Sequence, residues 1–445
     1  MTTGIRFHPL KTPTLGRYLA PLLTLGLTLS AQAQGHDSAA ASTARPATTT
    51  GTSDSNSTTS TLTEAEAVNQ ALRRAPLADV LAGVVAIEEG RGRSAGSYPT
   101  PEFRYLREQT FGDSGTAEDS LSLAQTIDLG DRRGRYTAAG EARTRAAHQE
   151  GHALRLAVSA DARLRFHEAL YRQGRVAALE GWCQRIEDSL LIVTRREQRG
   201  DAATYDRRRL EREQAVASSR LKSERAALER AMAQLVALLG PTESSPRVTG
   251  ALLPESDPAS LQVLRESADS HPEVLALDQR GLAATYEVSA GTRWWVPEVR
   301  LEAGWKRVNL GAQGRADGFL AGATLSLPLW NQSAGLAREA EGQAQAARGR
   351  SDLLRAALHG ELSGARLEAL RLREAAASFR AQASETSGDL VRMASAGYEG
   401  GELGLLELLD AYRGAAEDSL SALDLEYAAR RARIDLDRLT GTRFP

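Results

Sequence analysis

One pattern is written twice in this chain, and that duplication constrains the fold more than any other feature of the sequence. Pro101-Glu102, in PEFRY, recurs as Pro297-Glu298, in PEVRL; at the same offset of 196 residues Pro76 matches Pro272 and Leu81 matches Leu277. Farther along the offset becomes 201. There Gly200-Asp201 matches Gly401-Glu402, Arg212 matches Arg413, Ala227 matches Ala428, and Leu235, Leu238 and Gly240 match Leu436, Leu439 and Gly441. The change of offset falls between paired strands, where loops vary in length. Ala, Arg and Leu are common enough here to match by chance, so the Pro and Gly matches carry the argument. The order of matches predicts two copies of one unit, residues 62–240 and 259–441, joined by a linker over 241–258.

Each copy follows the same grammar: a moderate helix near 64–90 or 261–290, two strands, two long helices joined at a Gly turn, and a closing Gly in LVALLG or LDRLTG. Thr63 and Glu66 have the spacing of a capping box at the first helix start. In PEVRLEAGWKRV, Val299, Leu301, Ala303 and Trp305 share one face, and Arg300, Glu302, Gly304 and Lys306 share the other. Leu121, Leu123, Ile127 and Leu129 alternate with Ser122, Ala124, Thr126 and Asp128; Phe319, Ala321, Ala323, Leu325 and Leu327 repeat the pattern. Period two over about ten residues fits a membrane-barrel strand. It fits a half-buried strand of a soluble sheet equally well. Four strands cannot close a barrel, and open edges are not tolerated in lipid. If these strands span a membrane, several copies must share one barrel.

From about 133 to 198, and again from about 335 to 396, there is no proline. Sixty-odd helical residues at about 1.5 Å each reach on the order of 100 Å. The returning helices are expected over 202–239 and 405–439. Leu221, Leu228, Met232, Leu235 and Leu239 form a stripe at three- and four-residue steps, as do Leu409, Tyr412, Ala416, Leu420, Leu423, Tyr427 and Ile434. Such stripes are coiled-coil seams, and the Arg- and Glu-rich opposite faces are ordinary solvated surface.

Composition narrows the function classes. The net charge of −2 gives no whole-chain footprint for nucleic acid. A lone cysteine, Cys183, excludes a disulfide framework within one chain. Arg6, Lys11 and Arg17, then YLAPLLTLGLTLSA, then Ala31 to Ala33, read as an export signal over 1–33. The Ser/Thr-rich stretch 34–61 cannot bury apolar surface and reads as a disordered linker. His148 and His152, in HQEGH, stand one helical turn apart, a spacing that can hold a metal, but no third ligand is evident. No nucleophile–base pattern stands out and no cofactor motif is present, so no enzyme is expected. Export, barrel-like strands and hairpins of about 100 Å together suggest a conduit.

The two-unit layout, SLPLWNQSAG after the fourth strand, and AGYEGGELGLLELLDAYR at the second hairpin resemble the outer-membrane efflux (TolC-like) family over nearly all of 62–441. LPLWNQSAG and LLELLDA look most like the branch serving heavy-metal pumps of the cobalt–zinc–cadmium and copper–silver kinds. The resemblance implies an α+β membrane protein. In it a homotrimer pools four strands per chain into a 12-stranded β-barrel in outer-membrane lipid, continuous with a 12-helix coiled-coil tunnel in the periplasm. It implies a passive exit duct, powered by an inner-membrane RND-type pump and reached through a periplasmic adaptor protein. Gly200, Asp201, Gly401 and Glu402 would lie at the adaptor-contacting tips. Glu407 and Asp410 match the acidic aperture positions of the family, and Tyr398 and Asp206 match positions that tie neighbouring hairpins shut. Leu403 stands where the family sometimes has a latch arginine, and Arg209 stands where the first hairpin would have its second acid. The duct of a drug pump or of a type I protein exporter remains open, as does, from another class, a periplasmic coiled-coil adaptor or scaffold without membrane strands.

Overall fold

The structure, a computed structural model, describes residues 61–112, 115–240, 246–309, 314–330 and 333–441, with backbone alone at 383–385. The expected signal peptide lies outside the described residues, as does the Ser/Thr-rich linker apart from Thr61.

The elements run β1 (Thr61–Leu62), α1 (Glu64–Leu72), α2 (Ala75–Gly96), β2 (Glu102–Gln109), β3 (Ala117–Asp128), α3 (Arg132–Gln198) and α4 (Thr204–Leu239). They continue as β4 (Arg247–Val248), α5 (Leu261–Asp269), α6 (Pro272–Gly291), β5 (Glu298–Asn309), β6 (Arg315–Ser326), α7 (Ala334–Gly400) and α8 (Leu405–Thr440). The moderate helix expected at the head of each unit is therefore two helices. Pro76 and Pro272 are the reason. Proline has no N–H to give to a preceding turn and clashes with it, but fits the first turn of a new helix. Both prolines stand at such starts, in α2 and α6. The capping box forms as the spacing predicts: Thr63 N–H donates to Glu66 Oε2 at 2.8 Å while the Glu66 N–H donates to the Thr63 hydroxyl at 3.4 Å. The short parallel pairing of β1 with β4 had no sequence signal at two residues each.

At every level the chain is four elements wide. The sheet is antiparallel in the order β2-β3-β5-β6. Below it the helices lie in the order α2-α3-α6-α7, and beyond that α4-α3-α8-α7, because α3 and α7 run the length of both layers. At 67 residues each they span about 100 Å. Small side chains allow close packing near the sheet. A Cβ on Gly140 would sit 2.5 Å from the Gly92 Cα, so α2 and α3 meet backbone to backbone there. Farther down the packing is larger: Trp182, Ile186, Val193, Leu210, Leu408 and Tyr412 form one core shared by both hairpins. Each fully buried Leu or Ile there contributes about 1.5–3 kcal/mol.

The sheet is inverted relative to a soluble one. The register pairs Phe103 with Leu123, Leu121 with Trp305, Trp305 with Phe319, and Val299 with Leu325, so these share a face. That apolar face is open, with Phe319 87% and Phe103 70% exposed. The other face carries Glu102, Ser122, Arg300, Glu302 and Lys306. Ser122 and Ala124 on it are buried, Arg300 pairs with Glu102, Lys306 with Glu118, and the Ser122 hydroxyl donates to Glu302.

Where the two helical layers meet, polar side chains lock the short helices in place. Glu64 at the start of α1 accepts from Arg163 Nε and from His167 Nε2, the latter at 3.0 Å, and Arg163 also reaches Asp437 of α8 at 3.1 Å. His167 is 1% exposed and its Nδ1 has no partner among the described residues. Burial holds its imidazole below the usual range, so it sits there neutral, donating from Nε2. Burial would raise the Glu64 carboxyl, yet His167 and Arg163 outweigh it and hold it at about 2. The crossing segment between the halves is strapped down by arginines of α7 and α8. Arg430 donates to the carbonyls of Ala251, Leu252 and Leu253 at 2.8–3.0 Å, and Arg433 to that of Ser256 at 3.1 Å.

Candidate functional site at the hairpin tips

Both long hairpins end in the same device. A helix of this length leaves its last carbonyls without intrahelical partners. At the first tip Asp201 N–H donates to Arg196 O at 2.8 Å and Gly200 N–H to Glu197 O at 2.9 Å. At the second, Glu402 N–H donates to Gly397 O at 2.8 Å and Gly401 N–H to Tyr398 O at 3.3 Å. These are Schellman motifs, which need a left-handed residue between helix and return. Gly200 and Gly401 supply it, at φ +82° and +77°. Leu403 lies across Gly397, where its side chain occupies the space a Cβ would need. The leucine at this position therefore packs the turn instead of reaching a neighbour.

Of the residues expected at an aperture, Glu407 and Asp410 are exposed on the first turns of α8, one helical turn apart. Asp206 is half-buried in the first turn of α4. Tyr398 is buried near the end of α7, and burial raises its phenol; Arg196 opposes that shift and Asp206 adds to it. So Tyr398 and Asp206 are brought near one another, although among the described residues no hydrogen bond joins them. Arg209 shares the Asp206 face of α4, and the next turn of that face carries Glu213, whose carboxylate takes Arg413 of α8 at 2.9 Å. Asp201 and Glu402 lie exposed beside the two glycines.

The tips of the two units are equivalent in backbone and opposite in charge. Residues 195–212 hold seven arginines and four carboxylates; residues 396–413 hold four carboxylates and one arginine. The sequence reading missed Arg196. Its guanidinium, from the first hairpin, donates to Tyr398 O at 3.4 Å and Glu399 O at 3.2 Å and lies 5.1 Å from the Tyr398 ring centroid. No local pattern signals this, because the acceptors are backbone carbonyls some 200 residues away.

His148 is exposed and His152 half-buried on α3. Among the described residues no group of three or more His, Cys, Asp or Glu could hold a metal ion. No described helix is long and apolar enough to cross a membrane, so a membrane role rests on the sheet.

Comparison with known proteins agrees with this architecture. The outer membrane efflux protein family profile matches residues 263–442. A nickel-cobalt-cadmium resistance protein, NccC, of Alcaligenes xylosoxydans xylosoxydans is 26% identical over 295 residues, covering 65% of this chain and 66% of that protein. The chain thus spans about two thirds of that relative's length. Among solved structures, the MtrE outer membrane channel of Neisseria gonorrhoeae, in its open state, superposes with a TM-score of 0.68 at 17% identity, over 85% of this chain and 88% of that one. CusC superposes with a TM-score of 0.67 at 15% identity, over 85% and 91%. At such identities the structures speak to fold, and the fold is that of outer-membrane channels. The outer membrane efflux protein profile thus falls on the second unit of this chain, and the sequence is similar to a protein named for nickel-cobalt-cadmium resistance.

Proposed function

We propose that three copies of this chain pool their sheets into a 12-stranded barrel in the outer membrane, with a 12-helix tunnel below it in the periplasm. The duct they form is passive and carries heavy-metal cations driven by an inner-membrane RND-type pump through a periplasmic adaptor. The inverted sheet carries this reading. Water penalises an open face of Phe103, Leu123, Leu301 and Phe319 beside a partly buried Glu302 and Ser122, whereas lipid outside and a wet lumen inside reward it. A soluble coiled-coil scaffold has no use for that face. Three of the four strands, β3, β5 and β6, suit a bilayer in length: 12 residues at about 3.3 Å, tilted about 40°, rise on the order of 30 Å, and β2 is shorter at eight residues.

The edges support a shared barrel. β2 and β6 each present an unpaired row of backbone groups, which lipid does not tolerate. The helical layers also end unpaired, with α2 and α4 on the β2 side and α7 on the β6 side. One side of a copy therefore meets the other side of the next, an arrangement that makes a ring when the rotation closes. Gly200, Asp201, Gly401 and Glu402 would face the adaptor, and three copies of Glu407 and Asp410 would ring the narrow end with carboxylates that favour cations. The metal cargo rests on the NccC resemblance.

Membrane extraction tests the assembly. The mature protein should require detergent and migrate as a trimer; a water-soluble monomer refutes the shared barrel. Deletion in the native host should raise sensitivity to nickel, cobalt or cadmium, and unchanged metal tolerance alongside raised drug sensitivity would move the cargo to another class.

A further inference from the structure

We propose that Arg196 is the positioning residue that holds the two hairpins of each copy together at the tip, and so sets how readily the periplasmic mouth widens. The inference rests on the duct reading and adds a residue to it. In the lower layer α3 packs along α4 and α8, and α7 lies beyond α8. Arg196, in the last turn of α3, nevertheless reaches the end of α7 and engages it in three ways. It donates to the carbonyl of Glu399, one of the acceptors that the end of a helix leaves short of partners, and to that of Tyr398, which also takes the Gly401 N–H. Its guanidinium lies over the Tyr398 ring, within the range of a cation–π contact. Its positive charge also sits at the negative end of α7. Among the described residues one other charged side-chain contact joins the two hairpins at this level, Arg413 to Glu213, and Arg413 is exposed.

The chemistry of the acceptors has a consequence. An exposed pair of opposite charges weakens as salt rises. Arg196 is half-buried and donates to neutral carbonyls, so its hold depends less on salt than the Arg413–Glu213 pair does. Widening the mouth requires the first and second hairpins to part, and parting them strips the α7 carbonyls and Tyr398 of this partner together. A lysine could keep the charge and one donor but not the planar fork or the stacking.

The test uses the full trimeric protein, purified in detergent and inserted into planar bilayers, with single-channel conductance as the readout. Arg196→Ala should raise the open fraction about tenfold or more, the size expected for losing two charge-assisted hydrogen bonds. Arg196→Lys should fall between wild type and Arg196→Ala, and it keeps the test alive if the alanine variant fails to fold. Arg195→Ala removes the same charge one residue away, from an exposed side chain that among the described residues has no bond to the second hairpin, and should behave as wild type. Arg196→Ala or Arg196→Lys indistinguishable from wild type overturns the inference, as does Arg195→Ala opening the mouth equally. Absence of channels from wild type as well overturns the duct reading beneath it.

Discussion

Replacing Glu64 by Gln should weaken the docking of α1 at neutral pH and leave it unchanged in strong acid. The carboxyl drops from its ordinary 4.5 to about 2 in the folded chain. At 1.36 kcal/mol per unit that corresponds to about 3.4 kcal/mol as an upper bound. The side chain is about one-third exposed, so solvent screening brings the expected value nearer 2 kcal/mol. A depressed carboxylate pKa gives stability that is complete above the unfolded value and disappears as pH falls through the folded one. The window here is pH 4.5 down to about 2. Glutamine does not titrate, so the gap between wild type and variant should be about 2 kcal/mol at pH 7 and close toward zero near pH 2. Glu64 raises the His167 imidazole against its burial, so the two groups titrate as a linked pair and the gap between wild type and variant reports the pair. The assay is hydrogen exchange of the α1 amides in detergent, expressed as protection relative to the intrinsic rate at each pH. A gap of constant size from pH 7 to pH 3 would refute the reasoning, because the loss would then be one of shape and packing, not of charge.

Three further outcomes follow from the packing. Gly140→Ala places a Cβ 2.5 Å from the Gly92 Cα and should cost about 1–3 kcal/mol, read as a lower melting temperature, while Gly349→Ala, with nothing within 4 Å, should be neutral or slightly stabilising. Arg430→Met leaves the carbonyls of Ala251, Leu252 and Leu253 without a donor; it should cost about 1–3 kcal/mol and speed proteolysis within 246–260. Leu301→Arg, on the open apolar face, should cut the yield of detergent-extracted trimer through a cost of about 2–4 kcal/mol, whereas Thr126→Arg on the opposite face should assemble.

What the sequence revealed depended on whether a signal was local. Alternation along Val299, Leu301, Ala303 and Trp305 is a period-two signal, and the absence of proline from 133 to 198 is a permissive one, so β5 and α3 were legible nearly to the residue, whereas β3 and β6 lie earlier than expected and leave out Leu129 and Leu327. Gly200 and Gly401 were legible as turns because left-handed backbone selects glycine. Pro76 and Pro272 were visible as matches, yet the helix was carried through them; the physical chemistry of proline should have broken it there. Whether the apolar face is covered was undecidable from alternation, since a soluble and a membrane strand share that pattern; register and exposure show that face open. Arg196, Arg430 and Arg163 were illegible for one reason. Each acts on a carbonyl or carboxylate far off in sequence, and an arginine in an arginine-rich helix carries no mark of its partner. His148 and His152 have the spacing of ligands, but among the described residues they belong to no group of three or more His, Cys, Asp or Glu that could hold a metal ion.

The unlike flanks of the chain bear on its genetics. A copy spoiled only along β6 and α7 still offers a sound β2, α2 and α4 flank, so a growing ring would accept it and then fail to close. If three copies assemble at random from equal amounts of sound and spoiled chain, about one ring in eight is wholly sound. Such a lesion would act as a dominant poison in a cell that also makes the normal protein, whereas a chain unable to fold would be absent from the rings and silent.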